Sequence, residues 1–590
     1  MISVIPTYNN NFRAFGWVQD PSNLRSLCNV VAIFDSNSEK HKELLNKTVS
    51  QLVLEEDGRA DLIAALKAKP LKIKFSHLTG TAFYPRSQSR CNGIVQAAVK
   101  GQSRPFIGDW PADNFVRWAH CFGFIKYDYK TDAFEITPSG LELCKANSGE
   151  ADLSLCEKKL LINAALAYPP VIRILTLLSP ENAHLTKFEI GRQLGFVGEA
   201  GFTSMPQNPF IRALSGAESA KEKNAMKADW EGSSDKYARM ISKWLEKLGL
   251  VEQIAKTVTV RVGNSEYSES IGQSYMITAQ GITALNKALG KSRHARISKN
   301  IFYEMLATKN SDREFLRTRR ALIIKQLSES KKEVAADAIV SYLDTQNISA
   351  TPGTVCDDVQ GLINMGLDIK INGNYFKWND VINDFVIPLP QKLAKSQLEY
   401  FKDKIRKDLE NLSHEYLALI DLSYDSKQNR LFEMKTIELL TEECGYNGLH
   451  LGGSRRPDGI IYTTELTDNY GVIIDTKAYS GGYNLPISQA DEMERYIREN
   501  QSRDATINSN KWWKNFDESI CQFYFMFVSG HFIGNYKSQL KRLMNSTKTN
   551  GAAVRIGELL VCAEKIKANE SDLKKIADNY FSGNFDVKGT

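Results

Sequence analysis

Nine cysteines are spread along 590 residues with no Cys-x-x-Cys pair among them, and their number is odd. That distribution argues against a disulfide framework and against a zinc site, and it leaves reduced thiols as the expectation. A long apolar run is also missing. The stretch Phe523 to Val528 falls far short of the roughly 18 residues a membrane span requires. No cationic, apolar and small-residue series opens the chain, so no secretory signal is read there. A strong charge bias is lacking too: 75 Lys and Arg against 69 Asp and Glu give a net charge of only +6. Affinity for a polyanion therefore has to come from local basic faces. The C-terminal third has no P-loop, no histidine-rich metal cluster and no nucleophile elbow. These absences leave a soluble cytoplasmic protein with no membrane partner, and the length predicts roughly three to five domains.

What is present is a repeated pattern of amphipathic helix, glycine-hydrophobic exit and short β-rich hairpin. The first copy runs from Phe115 through Gly123-Phe124-Ile125, turns at Lys130-Thr131-Asp132 and returns through Phe134 to Thr137. The second is Tyr237 to Leu248, then Gly249-Leu250-Val251, closing with Tyr275 to Thr278. The third is Val355 to Met365, then Gly366 to Ile369, a turn at Asn372-Gly373-Asn374, and Tyr375-Phe376. Helix, glycine stop and hairpin is the order of a winged helix-turn-helix. Three in series suggest duplex DNA binding, with protein docking as the alternative use of the same module.

The helix faces divide the copies. In the second, Tyr237, Met240, Ile241, Trp244, Leu245 and Leu248 keep helical spacing and form the predicted core stripe. Lys236, Arg239, Lys243 and Lys247 make the other face basic, and Ser233-Ser234-Asp235 offers an N-cap. Lys236 and Arg239 then fall in the first turns, where recognition helices meet base edges. A plain solvated lysine face is the alternative. Upstream, Leu185 to Phe196 reads as the supporting helix and turn. In the third copy Val355, Val359, Leu362 and Ile363 are the predicted core, while Asp357 and Asp358 are placed on an exposed face that would repel phosphates. That module reads as a structural arm. The cluster Arg317-Thr318-Arg319-Arg320 before it is either a backbone contact or a helix surface.

Pro388 and Pro390 mark a boundary, after which the Lys- and Glu-rich stretch 391 to 411 reads as a linker into a new domain. Helix (Leu431 to Glu443), hairpin, helix (Ser488 to Asn500), strand (Phe523 to Val528) and helix (Asn535 to Met544) follow. The hairpin pairs Ile460 to Tyr462 with Val472 to Ile474 around Thr467-Asp468-Asn469. Pro457-Asp458-Gly459 opens one strand and Asp475-Thr476-Lys477 ends the other. Residues two apart on a strand share a face, so Asp475 and Lys477 converge near Asp458. Asp-x-Lys also occurs at Asp128/Lys130, Asp368/Lys370, Asp425/Lys427, Asp572/Lys574 and Asp586/Lys588, so the Pro-Asp partner and the apolar strands single out position 475. Two carboxylates plus a phosphate oxygen can hold Mg²⁺, which keeps several waters. The lysine can orient or deprotonate a nucleophile, or offset charge at phosphorus. The residues thus read as a metal-dependent nuclease site, with a solvated strand-end ion pair as the alternative.

With these segments assembled, the chain resembles the FokI family of type IIS restriction endonucleases nearly end to end. The resemblance is carried by Phe15 to Gln19, Arg117 to His120, Ala167 to Leu178, Trp230 to Met240, and His450 to Ser454 through Lys477 to Pro486. It implies a mixed α/β multidomain chain of three winged helix-turn-helix subdomains and a PD-(D/E)xK nuclease domain. The division expected is 1–150, 151–294, 295–390 (docking) and 391–590 (cleavage). It implies Asp458, Asp475 and Lys477 as the catalytic trio, with Asp458 and Asp475 on Mg²⁺. Gln19, Arg86, Gln102 and Trp110 in the first module, and Glu231, Lys236 and Arg239 in the second, match the family's base-contacting positions. Asp20 and Ala228 depart, standing where the family has asparagine, a side chain that pairs bidentately with adenine. A GGATG-like target is implied, with a related sequence as the alternative. Asp491 and Arg495, one turn apart, form either an internal surface pair or, as the resemblance implies, a reciprocal pair across the two-fold axis of a transient dimer on DNA. The resemblance further implies a bacterial host with a cognate DNA methyltransferase.

The function expected is Mg²⁺-dependent cleavage of both DNA strands at a fixed distance outside a short asymmetric site. The rival reading is a sequence-specific DNA-binding regulator whose nuclease-like domain is structural. The intact trio favours the first, because an inactive relic would tolerate its loss.

Overall fold

Each of the three helix-glycine-hairpin copies folds as a winged module, and a glycine at positive φ ends each helix: Gly123 (φ 72), Gly249 (φ 77) and Gly366 (φ 114). The computed structural model describes all residues except 1, 8–12, 14, 82–89, 218, 263–264, 292–293, 309, 391–392, 465–466, 468 and 583–590. Arg86 and Asp468 therefore lie outside the described residues. Contacts divide the chain into two compact units. The first comprises Met1–Phe196, Lys236–Ile254 and Gln273–Lys395, the second Val197–Asp235, Ala255–Gly272 and Ser396–Thr590.

In the first unit, helix α1 (Asp109–Cys121) buries Ala112, Phe115, Val116, Trp118 and Ala119, a helical-period stripe. Its wing pairs Ile125–Asp128 with Ala133–Ile136, and Ile73–Lys74 adds a third strand. Helix α2 (Ser233–Lys247), whose residues from Lys236 onward belong to this unit, buries Tyr237, Met240, Ile241, Trp244 and Leu245, as predicted. Val251–Gln253, Ser274–Ile277 and Leu185–Thr186 form its sheet. Trp118 of α1 and Trp244 of α2 stack with centroids 4.6 Å apart and planes 10° from parallel. Such a pair adds to the area each large ring removes from water, so the two helices are braced against each other.

The third module corrects two expectations. Asp358, on helix α4 (Pro352–Met365), is buried and not exposed. Arg317, Arg319 and Arg320, on helix α3 (Arg313–Glu329), are buried as well and form neither a DNA contact nor a helix surface. Arg319 Nε donates to Asp358 Oδ2 at 2.6 Å and Arg320 Nε to Asp358 Oδ1 at 2.8 Å. Arg317 donates to the Ala307 and Arg13 carbonyls. The charges pair in the interior because one carboxylate serves two guanidinium forks. Gly366 ends α4 where a Cβ would lie 1.9 Å from the Pro169 carbonyl oxygen, so positive φ and close approach both require glycine there.

The proline boundary is also revised. Pro388 and Pro390 lie in strand Phe385–Pro390, which pairs in parallel with Ile2–Thr7 in a two-stranded sheet. Both strands there are edges, where a missing N–H is tolerated. The units change between Lys395 and Ser396. The stretch read as a linker carries helix α5 (Gln397–Asp408), with Glu399, Lys402 and Asp403 buried. Lys402 Nζ donates to the Gly198 carbonyl and pairs with Asp421, both at 2.9 Å.

The second unit is built on a five-stranded mixed sheet, β1 (Asn447–His450), β2 (Gly459–Tyr462), β3 (Tyr470–Lys477), β4 (Gln522–Ser529) and β5 (Gly551–Arg555), in that order. The first three strands are antiparallel and the last three parallel. Helix α6 (Asn429–Glu438) sends Ile437 against Gly459. On the other face Ala490 and Met493 of helix α7 (Ile487–Ser502), with Leu540 and Leu543 of helix α8 (Tyr536–Thr547), pack on Ile460, Ile473, Phe525 and Phe527. Both faces of β3 are covered, which explains its unbroken burial from Tyr470 to Thr476. Residues 197–235 and 255–272 belong to this unit, so it is assembled from three separate stretches of the chain. Arg212 there donates to the Gly448 carbonyl at 2.7 Å. All nine cysteines are free thiols, and among the described residues no single helix is long and apolar enough to cross a membrane.

Candidate active site

The antiparallel register of β2 and β3 pairs Gly459 with Ile474, so the next position outward sets Asp458 opposite Asp475. Directly opposed residues carry Cβ atoms about 4.5–5.5 Å apart. Strand alternation puts Lys477 on the same face, and its Nζ lies 2.8 Å from Asp475 Oδ2. Asp458 Oδ2 accepts from the Thr476 amide at 2.7 Å and from the Thr476 hydroxyl at 3.1 Å. The Leu451 amide, at 2.9 Å, holds the Asp458 carbonyl. The three residues singled out in the sequence are thus brought together, on two paired strands whose backbones fix their spacing.

Electrostatically the cluster is built for a cation. Burial, then the charges of Asp475 and Glu433, push the Asp458 carboxyl well above the ordinary range. Burial also raises Asp475, against the pull of Lys477. Burial alone would lower Lys477, but the two carboxylates more than offset it and keep the ammonium charged. Two opposed carboxylates, both raised by burial and Asp458 also by the charge of Asp475, are relieved by a divalent ion, so the donor set fits one. No group of three or more His, Cys, Asp or Glu side chains is placed to hold a metal among the described residues. An ion held by Asp458 and Asp475 would take its remaining ligands from other oxygens, such as those of water and phosphate.

Sequence reasoning missed the surroundings. Glu433 of α6 pairs with His450 Nε2 at 3.0 Å, and the histidine is the chief charge holding its carboxyl down against burial. Trp230 meets the His450 ring edge-on at 6.0 Å and carries the Arg430 guanidinium 4.0 Å from its own ring centre. On the far side Glu492 of α7 accepts from Tyr496 at 3.0 Å, and Tyr483 is buried against the sheet. Trp230, Arg430, Glu433, Glu492 and Tyr496 lie outside the hairpin, and although His450 and Tyr483 flank it, no spacing or motif marks any of them.

The predicted recognition residues are placed as follows. Gln19 and Arg239 are half-buried, and Gln19 hydrogen-bonds the buried Tyr237 hydroxyl. Tyr237 packs on Trp17 at 5.0 Å. Asp20 lies close enough to Arg239 to feel its charge. Lys236 is half-buried in the first turn of α2. Trp110, half-exposed in the first turn of α1, has the Arg117 guanidinium 5.6 Å from its ring centre, and Gln102 is exposed. Glu231 is half-buried in the loop before α2. Asp235 does not act as the expected N-cap outside the helix. It is buried inside the first turn, where its carboxylate accepts from the Gly232 and Met205 amides at 2.7 Å each.

Asp491 and Arg495 do not pair with each other. Asp491 accepts from Arg542 at 2.6 Å, and Arg495 reaches Glu492 at 3.2 Å.

A mixed sheet with Asp, Asp and Lys on two paired strands, in a chain with three winged modules, defines a PD-(D/E)xK nuclease fused to recognition modules. Models of the FokI recognition domain match at residues 13–146 (subdomain 1) and 157–293 (subdomain 2), the FokI D3 domain at 306–374, and the FokI cleavage domain at 395–587. The chain is 44% identical to the type II restriction enzyme FokI of Planomicrobium okeanokoites over 97% of its own length and 99% of that protein. It is 35% identical to the type II restriction enzyme StsI of Streptococcus sanguinis, covering 98% and 96%. The solved structure of FokI bound to DNA superposes with a TM-score of 0.91, covering 97% of this chain and 99% of that one, and a second FokI structure gives 0.89, covering 96% and 99%. The chain belongs to the FokI family of type II restriction enzymes.

Proposed function

We propose that this protein is a type IIS restriction endonuclease that binds a short asymmetric duplex site related to GGATG and hydrolyses both strands at a fixed distance outside it. The observation that carries the reading is the convergence of Asp458, Asp475 and Lys477. Asp458 and Asp475 would hold Mg²⁺, which when bound supplies Lewis-acid stabilisation and a more acidic bound water. Lys477, kept charged by its carboxylate neighbours, orients the nucleophile and offsets charge building on phosphorus. Thr476 fixes the Asp458 carboxylate through two hydrogen bonds. Gln19, Gln102, Trp110, Glu231, Lys236 and Arg239 supply base contacts, and Arg86 is assigned with them from sequence. A transient homodimer through the cleavage domain provides the second trio, and the bacterial host's cytoplasm holds a methyltransferase that protects its own sites.

Asp475→Ala removes half of the carboxylate pair without touching the recognition modules. Cleavage of site-bearing DNA should disappear, while the dissociation constant for that DNA in Ca²⁺ stays within about twofold of wild type. Cutting at the wild-type rate would overturn the assignment. The rival regulator reading expects no specific cutting by the wild-type protein either, so digesting a random-sequence library with Mg²⁺ and sequencing the ends decides between them.

A further inference from the structure

Tyr483 stands over the active site in a position its neighbours fix from every side. Its amide donates to the His531 carbonyl at 2.9 Å, and its own carbonyl accepts from Ile533 at 2.9 Å. Its ring stacks on Tyr479 with centroids 5.5 Å apart and planes at 20°, and packs on Phe532 at 6.1 Å and Phe527 at 6.4 Å. Phe527 is the register partner of Asp475 across β3 and β4, so the tyrosine lies on the carboxylate face of the sheet. Its hydroxyl is buried yet makes no hydrogen bond to any described residue. Burial, then Asp475, Tyr479, Glu492 and Asp458, raise its pKa, so the phenol stays neutral and can serve as a donor but not as a base.

A buried hydroxyl without a partner is disfavoured, and native interiors satisfy nearly all such groups. Those left open gather where a ligand completes them. Here the hydroxyl is close enough to three carboxylates, Asp475, Glu492 and Asp458, to feel their charge and bonds to none of them. The exposed side of the ring stack is Tyr479, which is 48% exposed, so the stack borders solvent from which a strand can approach.

We propose that the Tyr483 hydroxyl is a catalytic residue of this site, donating a hydrogen bond to a non-bridging oxygen of the scissile phosphate. The proposal rests on the assignment of Asp458, Asp475 and Lys477 above. It explains why the phenol is held rigidly but left unsatisfied, because its acceptor arrives with the substrate and gains charge as the nucleophile attacks.

Tyr483→Phe tests it by removing one oxygen and keeping the ring. The single-turnover cleavage rate at saturating enzyme and Mg²⁺ should fall about 10- to 100-fold. The dissociation constant for DNA in Ca²⁺ should stay within about twofold, and the melting temperature should be unchanged or higher, because no bond within the protein is lost. A rate within about threefold of wild type overturns the proposal. So does a rate loss accompanied by a lower melting temperature, which would show that the hydroxyl has a structural partner. Asp475→Ala is run alongside. If that variant also cuts normally, the site assignment falls and this proposal with it, whereas an inactive Asp475→Ala beside a fully active Tyr483→Phe removes the tyrosine alone.

Discussion

Asp20 puts an acceptor-only side chain where an asparagine would offer both a donor and an acceptor, and the structure sets that carboxylate beside Arg239 on the basic helix. Burial pushes the Asp20 carboxyl up and the Arg239 guanidinium pulls it back. A carboxylate there draws the guanidinium toward itself and can accept from a cytosine amino group, but it cannot pair with adenine through two bonds of opposite sense. Asp20→Asn should therefore shift preference at one base pair toward adenine by about 1–3 kcal/mol and leave the other positions as they were. A binding titration against single-base variants of the wild-type site, at fixed salt, measures it. If affinity for every variant changes alike, Asp20 acts on the phosphate backbone or the fold and does not select a base.

At the scale of elements, Asp358 shows what a periodic pattern leaves out. Helical spacing identified the stripe Val355, Val359 and Leu362, all fully buried. It could not show that a second face of α4 meets α3, because that contact is made by charged residues, which read as solvent-facing in any single helix. The winged modules were legible because each copy is local, with stripe, glycine and hairpin inside one short segment. The Asp458, Asp475 and Lys477 trio was legible for the same reason, since strand alternation and one turn fix it. Glu433, His450 and Tyr483 were not, because only the assembled sheet brings α6, β1 and the loop after β3 to one place. The buried pairing has a testable cost. Arg319 and Arg320 hold the Asp358 carboxyl below its ordinary pKa although burial opposes them. A carboxyl depressed in the folded state contributes stability above its unfolded pKa and loses it as pH falls through the folded value. Asp358→Ala leaves two guanidinium groups buried against each other and should cost about 3–5 kcal/mol near neutral pH. Chemical unfolding at a series of pH values should show the gap to wild type closing only below the ordinary carboxylate range. A gap that stays constant down to strongly acidic pH would mean the loss comes from packing and not from charge.

For the whole molecule, the question is how one trio cuts two strands. Under the proposed function, a single Asp458, Asp475 and Lys477 set would position one in-line attack, and a second copy would bring the other. Both residues that would pair reciprocally across a two-fold axis already have partners within one chain, Asp491 with Arg542 and Arg495 with Glu492. These groups are exposed enough that each such pair is worth about 0–1 kcal/mol. Exchanging them for contacts across the axis is therefore close to neutral, which suits a dimer that forms only when DNA raises the local concentration of cleavage domains. Asp491→Arg should suppress double-strand cutting with binding unchanged, as should Arg495→Asp, and mixing the two variants should restore part of the activity as a heterodimer. Arg542→Ala separates this from simple loss of the internal pair. It breaks the same contact to Asp491 but leaves the carboxylate free for a partner, so it should cut at least as well as wild type at dilute enzyme. If Arg542→Ala is as impaired as Asp491→Arg, the internal pair supports the cleavage domain itself. If Asp491→Arg alone cuts both strands as fast as wild type, this helix is not the dimer contact.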